Sequence, residues 1–303
     1  MTDFVSLPSS EWTVRQQRHI DRVENLTASH QQRRRRGERH PVWDFMFSYY
    51  PVTPGKLKKW HPGIGFGLVA SENEAEEHPL PTFKDHYNWC DGAWVLDADK
   101  HWAHRGTSIA YIRRLLAATA SRPMQLNCFG LHEWAMVYRD QPRHPEPLRL
   151  GASGTNEVVE THQLRCTHYD AFRFFTDAAA PRNAHELTRD KQVRMDQPGC
   201  VHASMDLYKW ATKLGPLLPG ELWVDTFELA CQLRELDMRA SPYDLSDWGF
   251  SPIPIEAPSG RAEYVRQQKA LAEKGQVLRL KILRIIDDHF THLIHSSLST
   301  DLS

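Results

Sequence analysis

The sequence predicts a mainly α protein: a compact helical domain with at most a small β-hairpin and an N-terminal helical arm. Three observations lead there. Long stretches carry apolar residues at helical spacing, only two short runs have strand character, and 303 residues with 41% hydrophobic and 25% charged side chains suffice to bury a sizeable core. The expected division is an arm over residues 1–39 and a single helical domain over 40–303.

The arm is a helix from Ser9 or Ser10 to Arg36. Trp12, Ile20, Val23 and Leu26 form one narrow apolar stripe, a serine caps the start, no Pro or Gly interrupts, and Gly37 ends it. Arg33 to Arg36 fall in the last turn, where cations complement the helix dipole; the other reading of this run is a phosphate-binding patch. His40-Pro41 then opens the aromatic segment VWDFMFSYY, and PVTPGKLKKWHPGIGFG is dense enough in Pro and Gly to be turns with one short helix. Residues 71–82 read as an acidic surface loop, and Phe66–Ala70 and Ala93–Leu96 as two strands able to pair. Further helices are expected at about 104–120, 129–139, 156–175, 200–214, 219–239 and 260–295, the last broken near Gly275. Between the last two, residues 240–258 with Pro242, Pro252, Pro254 and Pro258 read as an extended strap.

Charge narrows the function classes. Lys and Arg total 37 against 38 Asp and Glu, so no overall positive field draws the chain onto nucleic acid or anionic lipid, and any such contact must be local. No apolar run reaches the roughly 18 residues of a membrane helix, and the N-terminus has no export signal, so a cytoplasmic protein without a membrane partner is expected. Five cysteines, widely spaced and without C-x-x-C, argue against a disulfide framework and leave reduced thiols or metal ligands. The 17 His and 10 Trp are unusually many, which suits a polar pocket in which a flat ligand stacks.

Two segments echo one another, Cys166-Thr-His168-Tyr-Asp170 and Cys200-Val-His202-Ala-Ser-Met-Asp206. On helices, His162, Cys166 and Asp170 share one face, and His202, Asp206, Lys209 and Lys213 another, so two polar faces can meet in a bundle interior. His132-Glu133 is a third contributor. Asp170 or Asp206 can serve as a carboxylate that activates water or stabilises a cationic transition state; the alternative is an internal salt bridge to Arg173, Lys209 or Arg239. His132, His162, Cys166, His168, Cys200 and His202 are the correct ligand types for Zn or Fe, although C-x-H spacing lets both residues reach one ion only from a turn. Lys209, Arg234 and Arg239 can hold a phosphate or carboxylate, or tie helix ends to loops.

At HPVWDFMFSYYPVTPGKLKKWHPG, CFGLHEWAMVYR, CTHYDAFRFFT, QPGCVHASMDLYKW and ELDMRASPYDL the chain resembles an actinobacterial family commonly labelled 3-methyladenine DNA glycosylase, over about residues 10 to 270. That resemblance implies a DNA-repair hydrolase that extrudes a nucleotide, stacks its base between aromatics and sets a carboxylate near the sugar. It carries no defined set of catalytic residues. Trp60-His61-Pro62-Gly63-Ile64-Gly65, with Asp85 twenty positions on, also resembles the hairpin of helix-hairpin-helix glycosylases; Gly67 and the acidic run Glu72 to Glu77 depart from it, and a Pro-Gly turn before a strand is the expected reading.

The expected function is therefore a hydrolase of a modified purine, with N-alkylated adenine in DNA as the example and no required cofactor. Asp170, Asp206, His168, His202 and Glu133 are the candidate catalytic residues; Trp134, Tyr169, Tyr208, Lys209, Trp210 and Arg239 are the candidate substrate contacts. Damaged DNA or a purine-containing small molecule is the expected partner. Two alternatives stand beside it: a Zn- or Fe-dependent oxygenase or hydrolase of a small molecule, and a non-catalytic nucleotide or nucleic-acid binder in which Arg33 to Arg36 matter.

Overall fold

The computed structural model describes residues 4–70 and 86–300. After strand β1 (Val5–Leu7) comes helix α1 (Ser9–Arg36), whose buried stripe is Trp12, His19, Val23 and Thr27. Gly37 ends it in the left-handed conformation at φ 70°, and the Gly37 and Glu38 amides return to the Arg34 and Arg33 carbonyls. Trp12 and Val23 join the main core, and Arg15 and Arg22 reach carboxylates at Glu221, Asp225 and Glu228.

Two four-residue helices, α2 (Phe45–Ser48) and α3 (Pro54–Leu57), lead to strand β2 (Phe66–Val69), and strands β3 (Tyr87–Cys90) and β4 (Ala93–Leu96) follow. The sheet order is β1-β2-β4-β3, with β1 parallel to β2 and the other pairs antiparallel. The expected pairing of 66–70 with 93–96 is present, and β1 and β3 extend it beyond a hairpin. WHPGIG forms the turn that enters β2; Asp85 and the acidic run lie outside the described residues.

Helix α4 (Ala98–Ala120) starts at an Asp97 cap. Short α5 (Leu131–Ala135), α6 (Gly151–Thr161), α7 (Tyr169–Phe172) and α8 (Gln192–Met195) then precede the three long elements α9 (Val201–Leu214), α10 (Gly220–Ala240) and α11 (Pro258–Thr300). The mainly α class stands. Among the described residues no helix is long and apolar enough to cross a membrane.

Three expected helices differ. The 129–139 segment is helical only over α5, entered through Gly130 at φ 73° and closed by turns. The 156–175 helix is two pieces: the chain becomes extended at His162 (φ −116°, ψ 148°), Leu164 bridges Asn183, and α7 starts only at Tyr169. Asn183 causes much of this break, because its side chain accepts from the Cys166 amide and donates to the Cys166 carbonyl, replacing helical hydrogen bonds. The third difference is that α11 runs unbroken through Gly275. A Cβ there would stand 2.9 Å from Ser204 Oγ, so the glycine serves close approach of α11 to α9.

Helix α9 carries His202, Asp206, Tyr208, Lys209 and Trp210, five of the residues singled out from the sequence. Met205, Leu207, Tyr208, Ala211 and Leu214 are buried against the core, each larger one contributing roughly 1.5–3 kcal/mol. This anchoring holds the polar edge formed by His202, Asp206 and Lys209.

Candidate active site

Beside that edge opens a cleft of about 980 Å³, lined by Tyr49, Tyr50, Tyr111 and Trp210, by the cations Arg173, Arg189, Lys209 and Lys213, and by Asp170 and Asp190 among others. Lys209 organises its floor. Its Nζ donates to Asp170 Oδ2 at 2.7 Å and to Asp206 Oδ2 at 2.8 Å, so one ammonium joins α9 to α7. Arg173 and Arg189 stand 3.6 and 3.8 Å from Asp170 Oδ1. Burial alone would raise the Asp170 carboxyl, but the Lys209 ammonium outweighs it and holds the group below the usual aspartate range. Asp170 is thus an ionised carboxylate at the wall of an open cleft.

Behind it lies a buried relay. Tyr50 Oη donates to Asp206 Oδ1 at 3.3 Å, and His168 Nε2 stands 3.6 Å from Asp206 Oδ2, too far for a hydrogen bond. His168 Nδ1 pairs with Asp196 Oδ1 at 2.9 Å, and Asp196 Oδ2 accepts from Gln192 Nε2 at 3.1 Å. Burial disfavours charge on His168, yet the Asp196 carboxylate raises its pKa, so the imidazolium is favoured.

A second cluster is sealed in the core. His132 Nε2 pairs with Asp237 Oδ1 at 2.7 Å, and Arg234 Nη1 donates to Glu133 Oε1 at 3.2 Å while lying 3.9 Å from Asp237 Oδ2. Asp237 is 0% exposed. Burial opposes its charge, but His132 overrides this and pulls the pKa well down; reciprocally, burial opposes charge on His132 and Asp237 raises it. Between the two clusters sits His202, its ring 4.5 Å from His132 and 5.8 Å from His168. Burial, with His132 nearby, pushes His202 well below its ordinary pKa, giving a neutral ring between two cationic ones.

The residues singled out from sequence separate clearly. Asp170, Lys209 and Trp210 line the cleft; Asp206 and His168 lie directly behind it; His202, His132 and Glu133 belong to the interior network. Trp134 is fully buried with its indole donating to the Ala240 carbonyl, and Tyr208 is fully buried in the core. Tyr169 lies under the Arg189 guanidinium, 5.7 Å from it. Arg239 bonds the Ser251 carbonyl and pairs with Glu235, fastening α10 to the following strap. Arg33 to Arg36 occupy the last turn of α1.

Of the metal candidates, His132 and His202 converge with Glu133 and Asp237, and His168 with Asp170 and Asp206, each set within 4.8 Å. His162, Cys166 and Cys200 join neither set. His162 caps α6 through the Val158 carbonyl and meets Arg261. Cys166 is buried beside the His168 carbonyl, and burial pushes both the Cys166 and Cys200 thiols up, away from the thiolate a metal requires. The convergent sets also hold their own cations, Arg234 in one and Lys209 in the other, so an added divalent ion meets charge already neutralised.

Sequence reading missed Asp196, Tyr50, Tyr111 and Arg189. Each reaches the site from a distant segment; Tyr50 lies in a quoted string and Tyr111 in an expected helix, but neither pattern marks it as a site residue. Compared with known proteins, the chain matches no family model, no curated protein and no solved structure.

Proposed function

We propose that this protein is a hydrolase that cleaves the N-glycosidic bond of a modified purine, with an N-alkylated adenine in a nucleotide or an extruded DNA residue as the substrate class. The observation that carries the reading is the cleft, which combines aromatic walls, cations suited to a phosphate and the ionised carboxylate of Asp170 in a single volume. Its size is within the range of about 300–1,000 Å³ usual for small-molecule sites.

Each part has a task. Tyr111, Tyr49 and Trp210 offer faces or edges to a flat base, and Arg173, Arg189 and Lys213 attract a phosphate. Asp170 stabilises positive charge developing at C1′ and takes a proton from the attacking water. The C1′–N bond breaks with its electron pair passing to the base. A base alkylated at a ring nitrogen such as N3 carries a positive charge before cleavage, so it leaves neutral without an added proton, while water oxygen bonds C1′. Asp206 and His168 act through Lys209 as positioning residues, and neither the buried Glu133 nor His202 lines the cleft.

The test is incubation with a duplex carrying one N-alkylated adenine, and with the corresponding free nucleotide, scored for released base. Wild type is expected to release base from at least one, and Asp170→Asn to reduce the rate by about 10²–10⁴-fold. Absence of release from both would overturn the hydrolase; saturable nucleotide binding unchanged by Asp170→Asn would then mark a binding protein instead.

A second reading has its own observation in the His132, Glu133, His202 and Asp237 set, which suits Zn or Fe in ligand type. Arg234 within that set favours the structural assignment. Stoichiometric Zn or Fe in purified protein, lost in His202→Ala, would reverse this preference.

A further inference from the structure

Cys128 extends the interior cluster toward the surface. It stands on the turn that enters α5 and is partly exposed, unlike the buried Cys166. The Leu131 amide donates to the Cys128 carbonyl, and Phe129 and Gly130, at φ 53° and 73°, turn the chain back on itself. That turn sets the Cys128 side chain over His132, with Sγ 3.4 Å from Nδ1, within reach of a hydrogen bond to sulfur. On the far side of the ring His132 Nε2 donates to Asp237 Oδ1 at 2.7 Å. Among the described residues no other cysteine has an imidazole on its sulfur; Cys90 Sγ donates to Asp91 and Cys166 Sγ to the His168 carbonyl.

Thiol, imidazole and carboxylate in a row, each within reach of the next, are the parts that activate a sulfur nucleophile. Their roles follow from the contacts. Asp237 accepts from Nε2, so Nδ1 is the nitrogen that faces sulfur, and the ring cannot turn without breaking a buried pair. Asp237 also raises His132 against the burial that opposes its charge, which strengthens Nδ1 as the acceptor of a proton. The charged neighbours do not compete for that nitrogen: Arg234 donates to Glu133, and the His202 ring stands 4.5 Å away and nearly perpendicular. Tyr264, Cys166 and Cys200 are further titratable neighbours, and burial pushes each of them up, toward the protonated form.

We propose that Cys128, with His132 as its base and Asp237 as the residue that orients that base, is a nucleophilic thiol that takes an alkyl group from a small carbon electrophile. Displacement at a saturated carbon asks for these parts alone, whereas acyl transfer also needs donors aimed at an oxyanion. The sulfur attacks the carbon, and an S–C bond forms as the bond from carbon to the leaving group breaks, its electron pair departing with that group. The thiol proton goes to His132 Nδ1. The product is a thioether, a stable modification rather than a turnover intermediate. Cys128 does not line the cleft, and its chemistry does not rest on the glycosidic reading.

The test uses iodoacetamide, with iodide as the leaving group, on the wild-type protein near pH 7, each cysteine being followed by peptide mass spectrometry. Cys128 is expected to be alkylated about tenfold faster in the folded protein than in the same chain unfolded in urea, although the fold covers part of it. Cys166 and Cys200 are expected to be slowed by folding. Folded His132→Gln is expected to lose the acceleration at Cys128 while the rate at exposed Cys90 stays unchanged. Alkylation of Cys128 no faster in folded wild type than in urea would overturn the proposal without recourse to a variant. So would an acceleration kept in folded His132→Gln.

Discussion

Asp170 and Asp237 are both aspartates held by cations in short contacts, yet they sit in opposite settings. Asp170 meets Lys209 at 2.7 Å at the wall of a 980 Å³ cleft, whereas Asp237 meets His132 at 2.7 Å in a core where it is 0% exposed. The first faces an open cleft; the second is enclosed, with His132 on Oδ1 and Arg234 3.9 Å from Oδ2. Residue type and pairing therefore do not separate a carboxylate open to a ligand from an enclosed one. Access does.

The comparison breaks most visibly if Asp237 is changed. Asp237→Asn leaves His132 and Arg234 with a weakened counter-charge in the core, and an expected loss of about 3–5 kcal/mol of unfolding free energy should appear in urea denaturation. A loss below 1 kcal/mol would mean the cluster is dispensable for folding.

Acidity is the next lever. His101 and His61 are favoured as neutral rings in the folded state at about 4 and 3, so the stability they contribute is complete above their ordinary value near 6.5 and is lost as pH falls toward those values. His132 has the opposite sign: raised in the fold, it contributes fully below about 6.5 and loses that contribution as pH rises through its folded value. Denaturation across pH 4 to 7 should show the acid limb flattened by up to one proton in His101→Gln. An unchanged limb would remove His101 from the account.

Smaller effects sharpen the cleft. Tyr111→Ala removes one aromatic wall and should weaken nucleotide binding by about 1–3 kcal/mol, read by calorimetry. Arg35→Ala, in the exposed last turn of α1, should leave both stability and cleft binding within about 0.5 kcal/mol. A large effect there would revive the basic turn as a nucleic-acid contact.

How much of this could be read from the chain follows from how local each signal is. Helices α1, α9 and α10 were legible because their apolar spacing lies within one segment, although in α1 Pro8 rather than a serine holds the cap position and His19 and Thr27, not Ile20 and Leu26, complete the buried stripe; the polar edge of His202, Asp206 and Lys209 came with α9. The face of His162, Cys166 and Asp170 was not, because Asn183, 17 positions beyond Cys166, bonds the Cys166 backbone and keeps it extended. Strand β3 had one overlooked cue: Asp91-Gly92, both at positive φ, is the two-residue turn that links antiparallel strands. Asp196 and Tyr50 had none, since only the packed fold brings them to His168 and Asp206.

The most direct test sets the two aspartates side by side: base release from N-alkylated adenine, measured per folded molecule, for wild type, Asp170→Asn and Asp237→Asn. The account predicts that Asp170→Asn keeps its fold and loses about 10²–10⁴-fold in rate, while the folded fraction of Asp237→Asn retains wild-type turnover. Full activity in Asp170→Asn, with turnover abolished in folded Asp237→Asn, would contradict it.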